Sequence, residues 1–501
     1  MFRVKPLDVI LATADKKPLQ RSLGPLQLTL LGIGSVIGTG IFVLSAEAAQ
    51  RAGPAMMLAF VIAAAVCVVA GLCYAELSAM VPVAGSAYTY SYATLGEGVA
   101  WTVGWALILE NAVAASAVSV GWAGYMVGLL AHLPPPFPSI VIPAALAAGP
   151  LEGGVANLPA VFIAFVITAL LVVGTGKSAK VNAVLVIIKL IALAGFVALA
   201  LPMARLENFH PFAPMGGGGV VTAAASIFFA YVGFDTVSTA SEETRNPQRN
   251  VPIALIAGLT TCTLVYVIVS VSAIGSYGAQ PVFGPHGEVL APGTSALTDR
   301  CAALAGPLPM VCSSEALAHV LRQLHFPGIG NLLGVAAGIS LPSVILASMY
   351  AQTRVFFAMS RDGLLPPALS TVHPRFHTPH RMTIATGLFV ALAAAFLPIG
   401  QLADYCNSGT LYAFCIIAVA VMMLRLRQPA RNRPFRTPML WLLAPLTILG
   451  CVGLFLFLPI QAQLLLPGWM ILGLICYFAY GYRHSHVALG LKPATDERLP
   501  P

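Results

Sequence analysis

Apolar residues in this chain gather into blocks of about 20, the length at which a helix crosses a hydrocarbon core about 30 Å thick. Twelve such segments are read, numbered here in chain order: 26–50, 55–80, 98–131, 157–176, 180–201, 218–242, 251–275, 328–358, 383–400, 402–424, 440–459 and 462–482. Segments 3 and 8 run long, as tilted helices do. The expected fold is an all-α integral membrane protein with twelve transmembrane helices. The stretch from Met1 to Pro25 is polar and basic and carries no apolar core of a cleavable signal.

Composition agrees with that reading. Of the 501 residues, 58% are hydrophobic and 9% charged, against roughly 25% charged in soluble domains. The charge pattern adds an orientation. With the N-terminus in the cytoplasm, only Arg51, Arg205, Arg300 and Arg322 among the 26 lysines and arginines face the other side, and Lys189 lies inside a segment. All the others fall on the cytoplasmic side, as the positive-inside rule requires for a chain with both termini inside. The net charge of +8 therefore reflects many short loops beside lipid. Nucleic-acid binding, which needs one basic face, is not implied.

Segment 1 contains Gly32-Ile33-Gly34-Ser35-Val36-Ile37-Gly38-Thr39-Gly40-Ile41-Phe42. Each glycine weakens a helix by up to about 1 kcal/mol relative to alanine. A broken helix at mid-membrane depth survives only where protein or a wet cavity satisfies the freed backbone groups. Such a break offers N–H groups to an anion and carbonyls to a cation, and an amino-acid zwitterion carries both. Close helix packing is the alternative use of these glycines. Segment 6 is the other irregular one, with the glycine run 216–219, Gly233 and an acid, Asp235. Irregular segments five apart are the mark of an inverted five-helix repeat with a site at the repeat interface. The repeats would cover about 26–201 and 218–424, a ten-helix core within 26–424. Two accessory helices would follow at 440–482, with cytoplasmic ends at 1–25 and 483–501 and an extracytoplasmic loop at 276–327.

Ionisable residues within a membrane are expensive and usually functional. Lys189 lies about nine residues into segment 5, roughly 13 Å along a helix, and desolvation there opposes the ammonium form. It is read as a proton-coupling group, with a fixed charge pinning helices as the alternative. Glu110, within segment 3, either partners a cation or stays protonated as a hydrogen-bond donor. Asp235 suits a helix-break hydrogen bond or an inner-gate contact. Seven cysteines lie in or at segments as small apolar fillers. Cys301 and Cys312 share the extracytoplasmic loop, where an oxidising exterior permits a disulfide and free thiols are the alternative. No metal-ligand spacing and no Walker loop occurs in the sequence, so no cofactor is expected.

The segment 1 motif is joined by Val83-Ala84-Gly85-Ser86-Ala87-Tyr88, Gly104 to Glu110, Phe228 to Asp235, Glu242 to Pro252 and Ser360 to Pro366. In this order they resemble amino-acid permeases of the amino acid–polyamine–organocation superfamily, in the cationic amino-acid transporter branch with its bacterial members. The resemblance covers segments 1 to 8 by motif and the rest by hydropathy. It implies a leucine-transporter-like 5+5 inverted repeat plus two C-terminal helices, working by alternating access. It implies that the Thr39 and Gly40 amides, beside Gly38, bind a substrate carboxylate. Carbonyls near Ile37, Phe229, Ala230 and Val232 would bind the ammonium, with Phe229 as an aromatic gate. Lys189 would stand where sodium sits in sodium-coupled relatives, so proton coupling is expected. Ile339 is the expected pocket residue of segment 8, favouring small neutral side chains. The expected partners are an amino acid, a proton and the lipid bilayer of the cytoplasmic membrane; oligomeric state is left open. The alternatives are an amino acid or polyamine exchanger without net proton coupling, and a sensor that keeps the fold without transporting. No nucleophile–base constellation suggests an enzyme.

Overall fold

The computed structural model describes residues 3–5, 23–82, 86–133, 138–174, 179–371, 373, 376, 378–487 and 489. Most of the 1–25 segment and of the 483–501 tail, and Val83 to Gly85 of the second motif, lie outside the described residues. Among the described residues the structure is helical, with two isolated β-bridges, Leu23 with Thr244 and Phe283 with Val289.

Among the described residues, eight helices are long and apolar enough to cross a membrane. Four shorter apolar helices, Pro25–Val36, Leu158–Val173, His380–Phe396 and Leu440–Leu456, lie within or across segments 1, 4, 9 and 11. The protein is thus a multi-pass membrane protein. Local sequence explains where helices start and stop. Pro247 and Pro327 open segments 7 and 8, at positions where a missing N–H costs nothing. Asn157 caps segment 4 by accepting from the Ala160 N–H at 3.1 Å, and Gly174 ends that helix at φ 83°, a left-handed turn that glycine makes without strain.

Segments five apart in sequence pack on one another: 1 on 6, 2 on 7, 3 on 8 and 4 on 9. Segments 1, 2, 6 and 7 form one group of mutual contacts, and 3, 4, 8 and 9 another. Segments 5 and 10 touch both, 5 through segments 1, 7 and 8, and 10 through 2, 3 and 6. Segment 12 is joined to segment 3 by Trp105 and Trp469. Their rings stack with centroids 4.9 Å apart, and each indole N–H donates to the other residue's carbonyl at 2.8 Å.

Segment 2 is held to segment 10 by a buried ion pair. Glu76, 1% exposed, accepts from Arg425 Nε at 3.0 Å and Nη2 at 2.6 Å. It also accepts from the Thr437 N–H at 2.8 Å, and Arg433 Nε lies 3.3 Å away. Removing one partner strands a buried charge. Glu76→Ala is expected to cost about 3–5 kcal/mol, read as a lowered thermal unfolding midpoint in detergent. Arg425→Lys, which keeps charge but loses the two-pronged contact, should fall in between.

Candidate functional site

Segment 1 is broken where its glycines cluster. The helix Pro25–Val36 stops at Ile37, which is extended (φ −72°, ψ 99°). A new helical turn, Thr39–Phe42, then leads to the helix Leu44–Ala52. Segment 6 is broken at the matching place. The helix Gly216–Ile227 tightens into a 3₁₀ turn over Phe228–Tyr231, Val232 is extended, and Thr236–Thr239 resumes. Gly233, at φ +104°, permits that turn.

The two breaks lie against each other. A Cβ on Gly40 would stand 2.4 Å from the Cα and Cβ of Ala230, and one on Gly233 would stand 3.0 Å from the Ser35 carbonyl oxygen. Glycine is required here by close backbone approach. The freed carbonyls have identified partners. Lys189, 1% exposed, donates from Nζ to Gly34 O at 3.1 Å and Ile37 O at 2.8 Å. The Tyr266 hydroxyl on segment 7 lies 2.9 Å from both Val36 O and Ala230 O, one from each break. Asn407 on segment 10 donates to Ala225 O and Ser226 O, both at 2.8 Å, at the end of the first half of segment 6. Tyr266 and Asn407 were not anticipated. Isolated polar residues in apolar segments are the only signal the sequence offers for them.

Among the sequence-derived residues, Ile37, Gly38, Thr39, Gly40, Phe229, Ala230, Val232 and Lys189 are thus gathered at the breaks. Thr39 is fully buried, packs its methyl against Gly121 of segment 3, and leaves Oγ1 without a hydrogen-bond partner. Phe229 is 7% exposed. Glu110 is buried beside Gly409, with Oε2 unpartnered. Asp235 accepts from Ser86 Oγ at 3.3 Å. Ile339 does not join them. It is 54% exposed and shares an outward ridge with Leu332 and Val335, residues at the i, i+3, i+7 spacing of one helix face. The segment 8 residue that approaches the break is Val344, 3.5 Å from a Cβ built on Gly38.

Both ends of the site are closed. At the end carrying the first residues, Leu23 N–H donates to Glu243 O at 3.0 Å and Arg245 N–H to Leu23 O at 2.9 Å. Nearby, Lys5 pairs with Asp362 at 3.0 Å, and the Tyr88 hydroxyl donates to the same carboxylate at 2.8 Å. At the opposite end Arg51 pairs with Asp404 at 2.9 Å. There Gln50 donates to Val282 O and Leu290 O and accepts from the Val282 N–H. Cys301 and Cys312 are bonded in the loop at this end, with Cα atoms 5.7 Å apart.

Comparison with known proteins places the chain. A family profile described as amino acid permease matches residues 23–479. The chain is 42% identical over 490 residues to the branched-chain amino acid permease BcaP of Bacillus subtilis, covering 97% of this chain and 98% of that one. It is 39% identical over 488 residues to the methylthioribose transporter of the same organism, covering 97% and 98%. It is 32% identical over 438 residues to human cationic amino acid transporter 4, covering 85% of this chain and 62% of that one.

The contact between the breaks is testable. Gly40→Ala puts a methyl onto Ala230 and is expected to cost about 1–3 kcal/mol by overpacking. Tyr266→Phe strips a donor from two buried carbonyls and should cost about as much again. Both would be read as thermal unfolding midpoints in detergent, and Gly195→Ala, where a Cβ meets nothing within 4 Å, is the neutral reference.

Proposed function

The chain belongs to the amino acid permease family, and on that premise we propose that it imports L-amino acids across the cytoplasmic membrane by proton-coupled alternating access. The observation that carries this reading is the meeting of two broken helices at Gly40 and Ala230, with a buried lysine on the carbonyls of one of them. The Thr39 and Gly40 amides open the second half of segment 1 and suit a carboxylate. The Ile37 and Ala230 carbonyls already accept from Lys189 and Tyr266, yet each oxygen has a second lone pair for a substrate ammonium. Carbonyls of Phe229 and Val232 complete that set, and the Phe229 ring gates it.

Selectivity falls to Val344 in place of Ile339. The groups packed on Gly38, Thr39 and Gly40 are Val344, Gly121 and Ala230, none of them charged, which suits an uncharged apolar side chain. The 42% identity to a branched-chain permease supports the same choice. A second reading follows from the 39% identity to a methylthioribose transporter, whose named substrate is a sugar. Competition against labelled leucine in proteoliposomes separates them. Valine, isoleucine and alanine are expected to compete, and arginine, decarboxylated leucine and amino-acetylated leucine to compete poorly. Equal competition by either leucine analogue would refute backbone recognition of the zwitterion. Strong competition by methylthioribose with none by alanine would favour the second reading.

Alternating access requires each closed end to open in turn. With the termini inside, Leu23–Thr244 and Lys5–Asp362 close the cytoplasmic end, and Arg51–Asp404 with Gln50 closes the outer end, where the Cys301–Cys312 bond tightens the 276–327 loop. The packing of segments five apart supports the ten-helix 5+5 core, with segments 11 and 12 outside it. Lys189 couples the proton. Charged, it holds the Gly34 and Ile37 carbonyls strongly; neutral, it holds them weakly. A proton shifts such an equilibrium only by binding the outward-open and inward-open forms differently. Glu110 and Asp235 serve as gating or structural acids.

The sign follows for an importer: acidifying the outside should raise uptake into proteoliposomes, and replacing sodium with potassium should change nothing. Lys189→Ala should lose pH-driven accumulation while keeping substrate counterflow. Full accumulation in Lys189→Ala, or a need for sodium, would overturn the coupling. Exchange without pH-driven uptake would point to the exchanger, and no flux of any kind to the sensor.

A further inference from the structure

Away from the breaks, segments 3, 8, 9 and 12 line a half-open cavity of about 160 Å³. Two polar side chains line it. Gln352 of segment 8 and Thr386 of segment 9 are each 3% exposed, and Gln352 Oε1 and Thr386 Oγ1 have no hydrogen-bond partner. An unpaired buried acceptor is costly, so the structure carries an unmet demand at this point. The Trp469 indole N–H cannot meet it, because it donates to Trp105 O. Nothing in the breaks or the closed ends uses either residue.

The rest of the lining is apolar and includes Ala112, Phe356 and Phe389, and no charged residue contributes. Phe389 is 42% exposed on the outer surface, so the cavity opens toward the membrane, and no residue of the breaks lines it. Water fits this lining poorly. Each buried water needs 2–4 polar partners, and a cavity of this size has room for several, whereas only two unpaired groups are present. A cavity of about 150 Å³ lined by apolar groups takes up a single benzene ring. Gln352 Oε1 accepts only, so an occupant that satisfies it donates a hydrogen bond.

We propose that this cavity is a binding site for a small, neutral, membrane-dissolved molecule with a ring-sized apolar body and one hydroxyl, which donates to Gln352 Oε1 and pairs with Thr386 Oγ1. Such a ligand ties segment 8 to segments 9 and 12 from the lipid side and is independent of the transported substrate.

The test uses the full chain in lipid nanodiscs, with para-bromobenzyl alcohol as the probe and para-bromotoluene as its counterpart without the hydroxyl. Bromine quenches the fluorescence of Trp469 in the cavity wall and of Trp105 stacked on it. Expected are saturable quenching by the alcohol and an apparent affinity about tenfold above that of the toluene at matched membrane concentration, the worth of about one or two net hydrogen bonds. Thr386→Val, nearly isosteric, and Gln352→Leu should each shrink that ratio toward one. Ala112→Phe, which fills the cavity, should abolish saturable quenching by both probes. Circular dichroism and the midpoint of unfolding establish that each variant is folded. Non-saturable quenching, equal affinity of the two probes, or a ratio unchanged in folded Thr386→Val and Gln352→Leu would overturn the proposal and leave water as the occupant.

Discussion

A helix broken inside a hydrocarbon layer frees backbone N–H and C=O groups that only the protein or a ligand can satisfy. That constraint organises the centre of this molecule. The breaks in segments 1 and 6 expose the carbonyls of Gly34, Val36, Ile37, Ala225, Ser226 and Ala230, and these receive hydrogen bonds from Lys189, Tyr266 and Asn407. A polar side chain deep in an apolar segment would be a cost elsewhere; here it offsets a larger one. Glycine at 40 and 233 then lets the two breaks approach until backbone meets backbone.

Much of this was legible in the sequence because membrane-spanning chains write their length and breaks plainly. Glycines in mid-segment marked the break at Ile37–Gly38, and a lone lysine in segment 5 marked Lys189. The glycines and acid of segment 6 marked a second irregular helix, and the family resemblance supplied Phe229, Ala230 and Val232. Helix faces were harder to read. When every face is apolar, as in segment 8, hydropathy does not distinguish a residue packed on protein from one turned to lipid. Ile339 was expected at the site from the family resemblance, which hydropathy had no power to correct. The ridge it shares with Leu332 and Val335 faces outward, and Val344 faces the break instead. Long-range pairs such as Arg51 with Asp404 and Glu76 with Arg425 were invisible for a related reason. Their members lie 353 and 349 positions apart, and only the packing of segment 10 on segments 1 and 2 brings them together.

The charged residues divide into two kinds. Glu76 with Arg425, buried along the side of segment 2, joins elements that need not separate. Arg51 with Asp404, and Lys5 with Asp362, stand at the two ends and close across elements that open and shut in the proposed cycle. Lys5 with Asp362 is the more hydrated pair, its side chains 15% and 13% exposed, and such a pair exchanges its partner for water at smaller cost. Arg51 with Asp404, at 12% and 2%, is as buried as Arg425 with Glu76 at 12% and 1%, and parting it costs more.

The contact pattern connects these observations. Segments 1, 2, 6 and 7 form one body and segments 3, 4, 8 and 9 another; segments 5 and 10 touch both, and segment 1 also meets segments 3 and 8 at its break. Most of the residues that hold the breaks from outside are carried by those two bridging segments: Lys189 on 5, Asn407 on 10, and Asp404 on 10 beside the outer closure. Tyr266, by contrast, sits on segment 7 within the first body and reaches both breaks at once. A movement of one body against the other therefore preserves the Tyr266 contacts and strains those of Lys189 and Asn407. In the proposed cycle, binding energy spent at the breaks would be coupled to the relative position of the two bodies through segments 5 and 10, and protonation of Lys189 at that junction would bear on the balance between them.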